Sequence, residues 1–400
     1  MLISHRIALD PNDRQAMYFA RVCGTARFAY NWALGEWQRQ YKEGGKPSEA
    51  ALRRQLNDIK AAQFPWMLEV TKNAPQQAIK NLGAAFKRFF AGDGKYPRFK
   101  KKGVHDSFRA DNGSDKNHPD AVAVKGQRVK LPVIGWVKMR ESLRFSGKVK
   151  SAVVSRTADR WFVSLHVEMD HATPIRENQA AGGVDLGVSS LATLSDGSRV
   201  PGPKALRSNL ARLKRLSRSL SRKVKGSANW HKAKAKIARL HARIGNIRAD
   251  ALHKLTTELV GRFTVIGIED LNVRGMMAND RLSRSIADMG FHAFRRQLAY
   301  KAAMYGSRVV VAGRWHPSSK SCSDCGAVLE ALPLSVREWE CLDCGAHHDR
   351  DVNAAKNLMK IAVSSTVKAC GEEGPGLGFV AKVKPASVKQ ESNISYLCVV

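Results

Sequence analysis

Long apolar runs are missing from this 400-residue chain. No stretch of about 18 consecutive apolar residues occurs, so no membrane span is expected. The opening MLISHRIALDPNDRQ has no apolar core and no small-residue cleavage site, so no secretory signal is expected either. Cysteine is scarce, with seven residues, four of them in two close pairs. That pattern excludes a disulfide frame and points to a metal in a reducing, cytoplasmic compartment. Acid is scarce too: 35 Asp plus Glu stand against 67 Lys plus Arg, a formal charge of +32.

What is present narrows the class further. An apolar fraction of 44% excludes a wholly disordered chain. The length allows about two to four domains. Solubility of a small domain needs a net charge of only about 2–8. A charge of +32 strains the folded monomer by self-repulsion and calls for a polyanion, whose condensed counterions are released on binding. Nucleic acid is the expected partner before any motif is read.

Along the chain, residues 1–10 read as a short strand carrying Leu2, Ile7 and Leu9, and residues 11–92 as helices. Pro75 falls near the first turn of the third helix, where a missing N–H costs little. Gly92, Gly94 and Pro97 end the helical pattern. From about 98 to 175 apolar and polar residues alternate as in half-buried antiparallel strands, with TADR as a hairpin turn and 103–120 as a loop, so a small barrel or sheet is expected.

Residues 197–249 hold 16 Lys or Arg and no acid. Leu206, Leu210, Leu213, Leu216, Leu220 and Val224, then Ile237, Leu240, Ile244 and Ile247, recur every three or four residues, with GSAN between the runs. This predicts a helical hairpin over 203–250 with one apolar seam and a basic exterior. A solvated charged helix would interleave both signs, so a phosphate-facing surface is the better reading. FTVIGIEDL reads as a buried strand, FHAFRRQLAYKAAMYG as a helix closed by Gly306, and RVVVAGRW as another strand. Residues 363–400 lose periodicity and are expected to be disordered.

Cys322 and Cys325 form one C-x2-C pair, and Cys341 and Cys344 the other, with 15 residues between the pairs. That is zinc-ribbon spacing. Each pair fills half a tetrahedron, and Gly326 and Gly345 supply the positive φ that such knuckles need. Four thiolates leave no open position, so this zinc is structural. His347 and His348 are surplus to a filled site. Cys23 reads as a helix-core filler, and Cys370 and Cys398 as incidental tail residues.

Three acids stand where apolar strands end or a helix begins: Asp185 in GGVDLGV, Glu269 closing VIGIED, and Asp351 opening DVNAAKNL. An Asp within an apolar strand carries a desolvation cost unless a cation neutralises it. Two or three convergent carboxylates make a usual Mg²⁺ site for phosphodiester chemistry. Gly182, Gly183 and Gly187 beside Asp185 would let a backbone strand approach. Taken singly, Asp185 also suits a turn, Glu269 or Asp270 a helix cap, and Asp351 an N-terminal helix acid.

DLG at 185–187, IEDLNV at 268–273, HPSSKSCSDCG at 316–326, WECLDCG at 339–345 and HDRDVNAAKN at 348–357 together resemble the TnpB (OrfB) proteins of bacterial insertion sequences, compact relatives of type V CRISPR effectors. RQAMYFARVCGTARFAYNWAL and GDGKYPRFKKKG fit the same family in order and spacing, so the likeness covers about residues 1–360. The resemblance implies an α+β multidomain chain. A β-barrel wedge would take 1–10 and 96–178, with a helical recognition insert at 11–95. An RNase H-like RuvC nuclease would take 179–317 and 347–362, around a zinc-binding insert at 318–346. It implies a guide RNA from the element's own end and cleavage of double-stranded DNA beside a short target-adjacent motif.

The catalytic Asp-Glu-Asp triad, holding Mg²⁺, falls on Asp185, Glu269 and Asp351. Asp349 and Asp270 are neighbours easily confused with it. The intact triad argues against a nuclease-inactive guided regulator, and a strand-transfer transposase would use the same acids without a guide. Candidate nucleic-acid contacts are Lys72, Gln76, Arg98, Lys100, Lys101, Lys102, Arg207, Lys214, Arg215, Arg222, Lys223 and Arg350. A cytoplasmic, nucleoid-associated monomer with one RNA is expected.

Overall fold

The structure is a computed structural model that describes residues 1–112, 121–170, 174, 176 and 180–367. Most of the expected tail, with Cys370 and Cys398, and part of the 103–120 loop lie outside the described residues. The chain divides into two compact units, one ending near residue 171 and the other following it.

The first unit is a sheet and a set of helices. Its strands are β1 (Leu2–Asp10), β2 (Ser107–Asp111), β3 (Ala123–Lys125), β4 (Arg128–Leu131), β5 (Gly135–Met139), β6 (Lys148–Thr157) and β7 (Arg160–Glu168); its helices are α1 (Asp13–Lys42), α2 (Glu49–Gln63) and α3 (Asn73–Phe90), with a 3-10 turn at Pro65–Glu69. All strand pairings are antiparallel, in the order β2-β6-β7-β1-β5-β4-β3. β2 and β3 end this order, so hydrogen bonds among the described residues leave the expected barrel open. Alternation along β1 buries Ile3, Ile7 and Leu9 and exposes Leu2. Asn12 and Gln15 cap α1 reciprocally. Trp37 of α1 stacks on Phe86 of α3 with ring centroids 4.1 Å apart. Cys23 is buried in α1, and burial pushes its thiol up, as a core filler requires.

The second unit carries strands β8 (Ala181–Asp185), β9 (Ala192–Leu194), β10 (Arg199–Val200), β11 (Val265–Glu269), β12 (Arg308–Ala312), β13 (Glu338–Glu340) and β14 (His347–Asp349). Its helices are α4 (Ala205–Ser221), α5 (Ala228–Arg262), α6 (Val273–Met277), α7 (Ser283–Met289), α8 (Phe291–Tyr305) and α9 (Arg350–Val367). The main sheet runs β10-β9-β8-β11-β12, with β8, β11 and β12 parallel and β9 and β10 antiparallel at one edge.

Side chains on a strand alternate between faces. Val184, Ile266 and Ile268 therefore join a core with Leu255 and Leu259 of α5 and Phe294 and Leu298 of α8. Gly183 and Gly267 face the other way. A Cβ on Gly183 would meet the Ala355 carbonyl at 1.8 Å, and one on Gly267 the Leu358 carbonyl at 2.1 Å. The glycines thus seat the backbone of α9 directly on the sheet. The backbone that approaches Gly183 is this helix, not an extended strand as expected.

Three further expectations are corrected. α9 runs to Val367 rather than stopping at 362, because Leu358 and Ala362 remain buried against the sheet. α5 continues past 250 to Arg262, because Leu252, Leu255 and Leu259 pass from the hairpin seam into the main core. The seam joins Leu206, Leu213 and Leu216 to Leu240, Ile244 and Ile247. Val224 lies beyond the end of α4 and is exposed rather than part of it.

Candidate active site and metal centre

The same alternation places the acids. Asp185 follows Gly183 by two residues, and Glu269 follows Gly267 by two, so both share the face on which α9 lies. Val184 and Ile268 are register partners, so Asp185 and Glu269 close adjacent parallel strands, about 4.8 Å apart across the ladder. Asp351 is in the first turn of α9. Burial, then the charges of Glu269 and Asp351, push the Asp185 carboxyl up to about 8, against the pull of Arg350 and Arg337. The fold therefore gathers the three acids named from sequence into one electrostatic cluster. They offer hard oxygen donors with mutual repulsion that a divalent cation would relieve, so they fit Mg²⁺.

Each acid is held by a different neighbour. Glu269 Oε1 accepts the Ser318 hydroxyl at 2.5 Å. Asp351 Oδ1 lies 3.5 Å from Arg337 Nη1. The two lookalike acids have other partners. Asp270 accepts Arg295 at 2.6 Å and Arg314 at 2.9 Å, which hold its carboxyl below the usual range. Asp349 accepts the backbone N–H groups of Asp351 and Val352 at 3.1 and 3.0 Å and pairs with Arg199 at 2.5 Å. It is the cap of α9.

The four cysteines meet. Their sulfurs all lie within 4.8 Å of one another, the only group of three or more such donors this tight among the described residues; the three carboxylates are more widely spread. Cys322 Sγ is 3.7 Å from Cys344 Sγ, and Cys325 Sγ is 3.6 Å from Cys341 Sγ. A tetrahedron with Zn–S bonds of about 2.3 Å needs S···S edges of about 3.8 Å, so the site fits zinc. Gly326 and Gly345 close the knuckles with φ of 87° and 69°. Although burial pushes the Cys322 thiol up, the N–H groups of Cys325 and Asp324 and the His348 ring draw it down to about 6. His348, buried and 3.0 Å from Cys322 Sγ, is thus a neighbour of the sulfur rather than a bystander.

Of the proposed nucleic-acid contacts, Arg207, Lys214, Arg215 and Arg222 are exposed on or beside α4, and Lys223 is half-buried. Arg215 lines a cavity of about 490 Å³ with Arg212, Lys236, Arg239 and Arg243, floored by Leu216 and Leu240. Arg350 is committed to protein, donating to the Pro333 carbonyl at 2.7 Å. In the first unit Lys72 is exposed and Gln76 half-buried at the start of α3. Arg98, Lys101 and Lys102 are exposed, and the Lys100 ammonium sits 4.2 Å from the Tyr30 ring centroid. The sequence reading missed Ser318, Asn353, Asn357 and the Arg199–Asp349 pair. Apart from Arg199, all lie inside the two stretches 316–326 and 348–357 that carry the resemblance.

Comparisons with known proteins identify the family. Residues 164–280 match the OrfB_IS605 family, described as a probable transposase, and residues 291–358 match the Cas12f1-like TNB domain. Residues 1–46 match a helix-turn-helix domain model, although here they form strand β1 and the single long helix α1. A Streptomyces pristinaespiralis protein named "Putative RNA-guided DNA endonuclease" is 40% identical over 387 residues, covering 95% of this chain and 94% of its own. The similarly named InsQ of Escherichia coli K12 is 35% identical, covering 93% and 94%. A structure of a Cas12f1–sgRNA–target DNA complex shares the fold at a TM-score of 0.52 and 15% identity, over 87% of this chain and 83% of that one. The chain belongs to the TnpB (OrfB) family.

Proposed function

We propose that the protein is an RNA-guided DNA endonuclease whose RuvC-type site is built from Asp185, Glu269 and Asp351. The observation that carries this reading is geometric: Asp185 and Glu269 close adjacent parallel strands on the face where α9 lies with Asp351 in its first turn, and burial and these two acids push the Asp185 carboxyl up. The mixed order of the main sheet supports the RNase H-like assignment. The names of the relatives support guidance by RNA.

The three carboxylates would hold Mg²⁺ through their oxygen donors. When bound, that ion supplies the positive charge and the water activation that phosphodiester hydrolysis needs. No side-chain nucleophile is required. Asp270 and Asp349 do not compete for the cation, because Arg295, Arg314 and Arg199 already neutralise them. The zinc knuckles are structural. The hairpin of α4 and the first part of α5, acid-free through residue 249, tracks the backbone of the guide or its heteroduplex, while base pairing supplies sequence specificity. The guide comes from the element's own end and the target carries a short adjacent motif. A wedge and a recognition insert occupy the first unit.

The test is to sequence the RNA that co-purifies with the expressed chain, and then to program cutting with it. The reading requires an element-end transcript and Mg²⁺-dependent cleavage of matching duplex only. Specific binding of end DNA with no bound RNA would favour a strand-transfer transposase instead.

A further inference from the structure

Glu269 ends β11, and the loop before the first zinc knuckle comes back to it. Ser318, in that loop, is 5% exposed and donates its hydroxyl to Glu269 Oε1. A strand-end carboxylate on a flexible side chain has several rotamers, and one short charge-assisted hydrogen bond selects among them.

The loop itself is pinned by α9. Asn357 Nδ2 donates to the Ser318 carbonyl at 2.8 Å and to the Ser321 carbonyl at 2.7 Å. Asn353 Nδ2 donates to the Ser321 carbonyl at 2.7 Å, while its Oδ1 accepts the Ser323 N–H at 2.8 Å. Lys360 Nζ donates to the Ser323 carbonyl. Asn353, Asn357 and Lys360 follow at intervals of four and three residues, so they form one face of the helix. Asn353 and Asn357 are buried. The helix that carries Asp351 therefore holds both the loop that orients Glu269 and the chain entering Cys322. None of these side chains reaches a reacting atom; they fix the ones that do.

We infer that Ser318 is a positioning residue for the cation site: its hydroxyl sets the Glu269 carboxylate, and through Asn353 and Asn357 it ties that carboxylate to α9 and the zinc knuckle. The inference rests on the nuclease reading of the triad. Removing a partner of a metal-ligating group generally costs about 10–100-fold in metal affinity or activity. Ser318→Ala removes one oxygen and little volume.

The experiment titrates Mn²⁺ into the full chain with its co-purified RNA, following free Mn²⁺ by electron paramagnetic resonance, and measures bound zinc in parallel. Glu269→Gln sets the size of complete loss. Ser318→Ala is expected to keep its zinc and its melting temperature while weakening Mn²⁺ binding about 10-fold or more. Its cleavage rate should fall at low Mg²⁺ and recover as Mg²⁺ is raised. Mn²⁺ affinity equal to wild type in Ser318→Ala, with Glu269→Gln impaired, would overturn the role of Ser318 and leave the triad standing. Loss of zinc or of cooperative folding in Ser318→Ala would also overturn it, because the hydroxyl would then serve the knuckle and not the carboxylate. Absence of any Glu269-dependent Mn²⁺ binding in the wild type would instead remove the nuclease reading itself.

Discussion

Arg199 reaches across 150 residues of sequence to Asp349, its Nη2 standing 2.5 Å from Oδ2. The other carboxylate oxygen of Asp349 caps α9, so Arg199 holds the acid that holds the helix that carries Asp351. Asp349→Ala removes the cap, which generally costs about 0.5–2 kcal/mol. The variant should melt earlier and cut more slowly, yet keep measurable Mg²⁺-dependent activity. A calorimetric scan alongside a cleavage time course checks this, and complete inactivity with an unchanged melting point would make Asp349 a ligand instead.

Zinc should be present at one ion per chain. Cys341→Ser removes one of four ligands at a closed site, and structural zinc contributes directly to folding. The variant should lose zinc, measured by elemental analysis, and with it the protection of residues 318–349 against proteolysis. Retention of stoichiometric zinc would show that the four sulfurs are not the ligand set.

Lys301 gives the fold a pH dependence. It is buried on α8, donating to the His253 carbonyl and to the Thr256 and Thr257 hydroxyls at 2.7–2.8 Å, and burial pushes its pKa from 10.5 down to about 8. Below pH 8 the ammonium is charged in both folded and unfolded chains, and the burial cost is fully present. Between pH 8 and 10.5 the folded chain gives up a proton that the unfolded chain keeps, so the Lys301 contribution to stability rises with pH. The difference in melting temperature between wild type and Lys301→Met, measured from pH 7.5 to 10, should shift in favour of wild type. A pH-independent difference would reject the shift.

The basic hairpin should bind through counterion release. Replacing Arg212, Arg215 and Arg243 by Gln should lower the slope of log K against log salt by about two to three, at about 0.7–0.9 per phosphate contact. RNA binding titrated across salt concentrations tests it. An unchanged slope would show that these side chains face no phosphate.

Much of the chemistry was legible because it sits in local patterns. The cysteine spacing forces a four-sulfur site whatever the surrounding fold. The absence of acid from 197–249 marks a polyanion surface without any knowledge of helix ends. Asp185 and Glu269 were visible as charges closing apolar strands. What stayed hidden depends on long-range packing. Gly267 reads as one more small residue in IGIED until α9 is seen lying on it. The helix expected to end at 362 continues because Ala362 has a sheet to pack on, which periodicity alone does not reveal. Val224 keeps the spacing of the seam but falls outside the helix that would carry it inward. Ser318 and Asn357, 39 residues apart, are ordinary polar residues until the loop and the helix meet.

The central claim is that Asp185, Glu269 and Asp351 form one cation-dependent site. Guide-programmed cleavage of a matched plasmid in Mg²⁺, by wild type and by Asp185→Asn, Glu269→Gln and Asp351→Asn, measures it directly. Each substitution should slow cutting by about 100-fold or more, the scale on which transition-state electrostatics are lost, while guide binding stays at the wild-type level. Wild-type cutting by any one of the three would contradict the account.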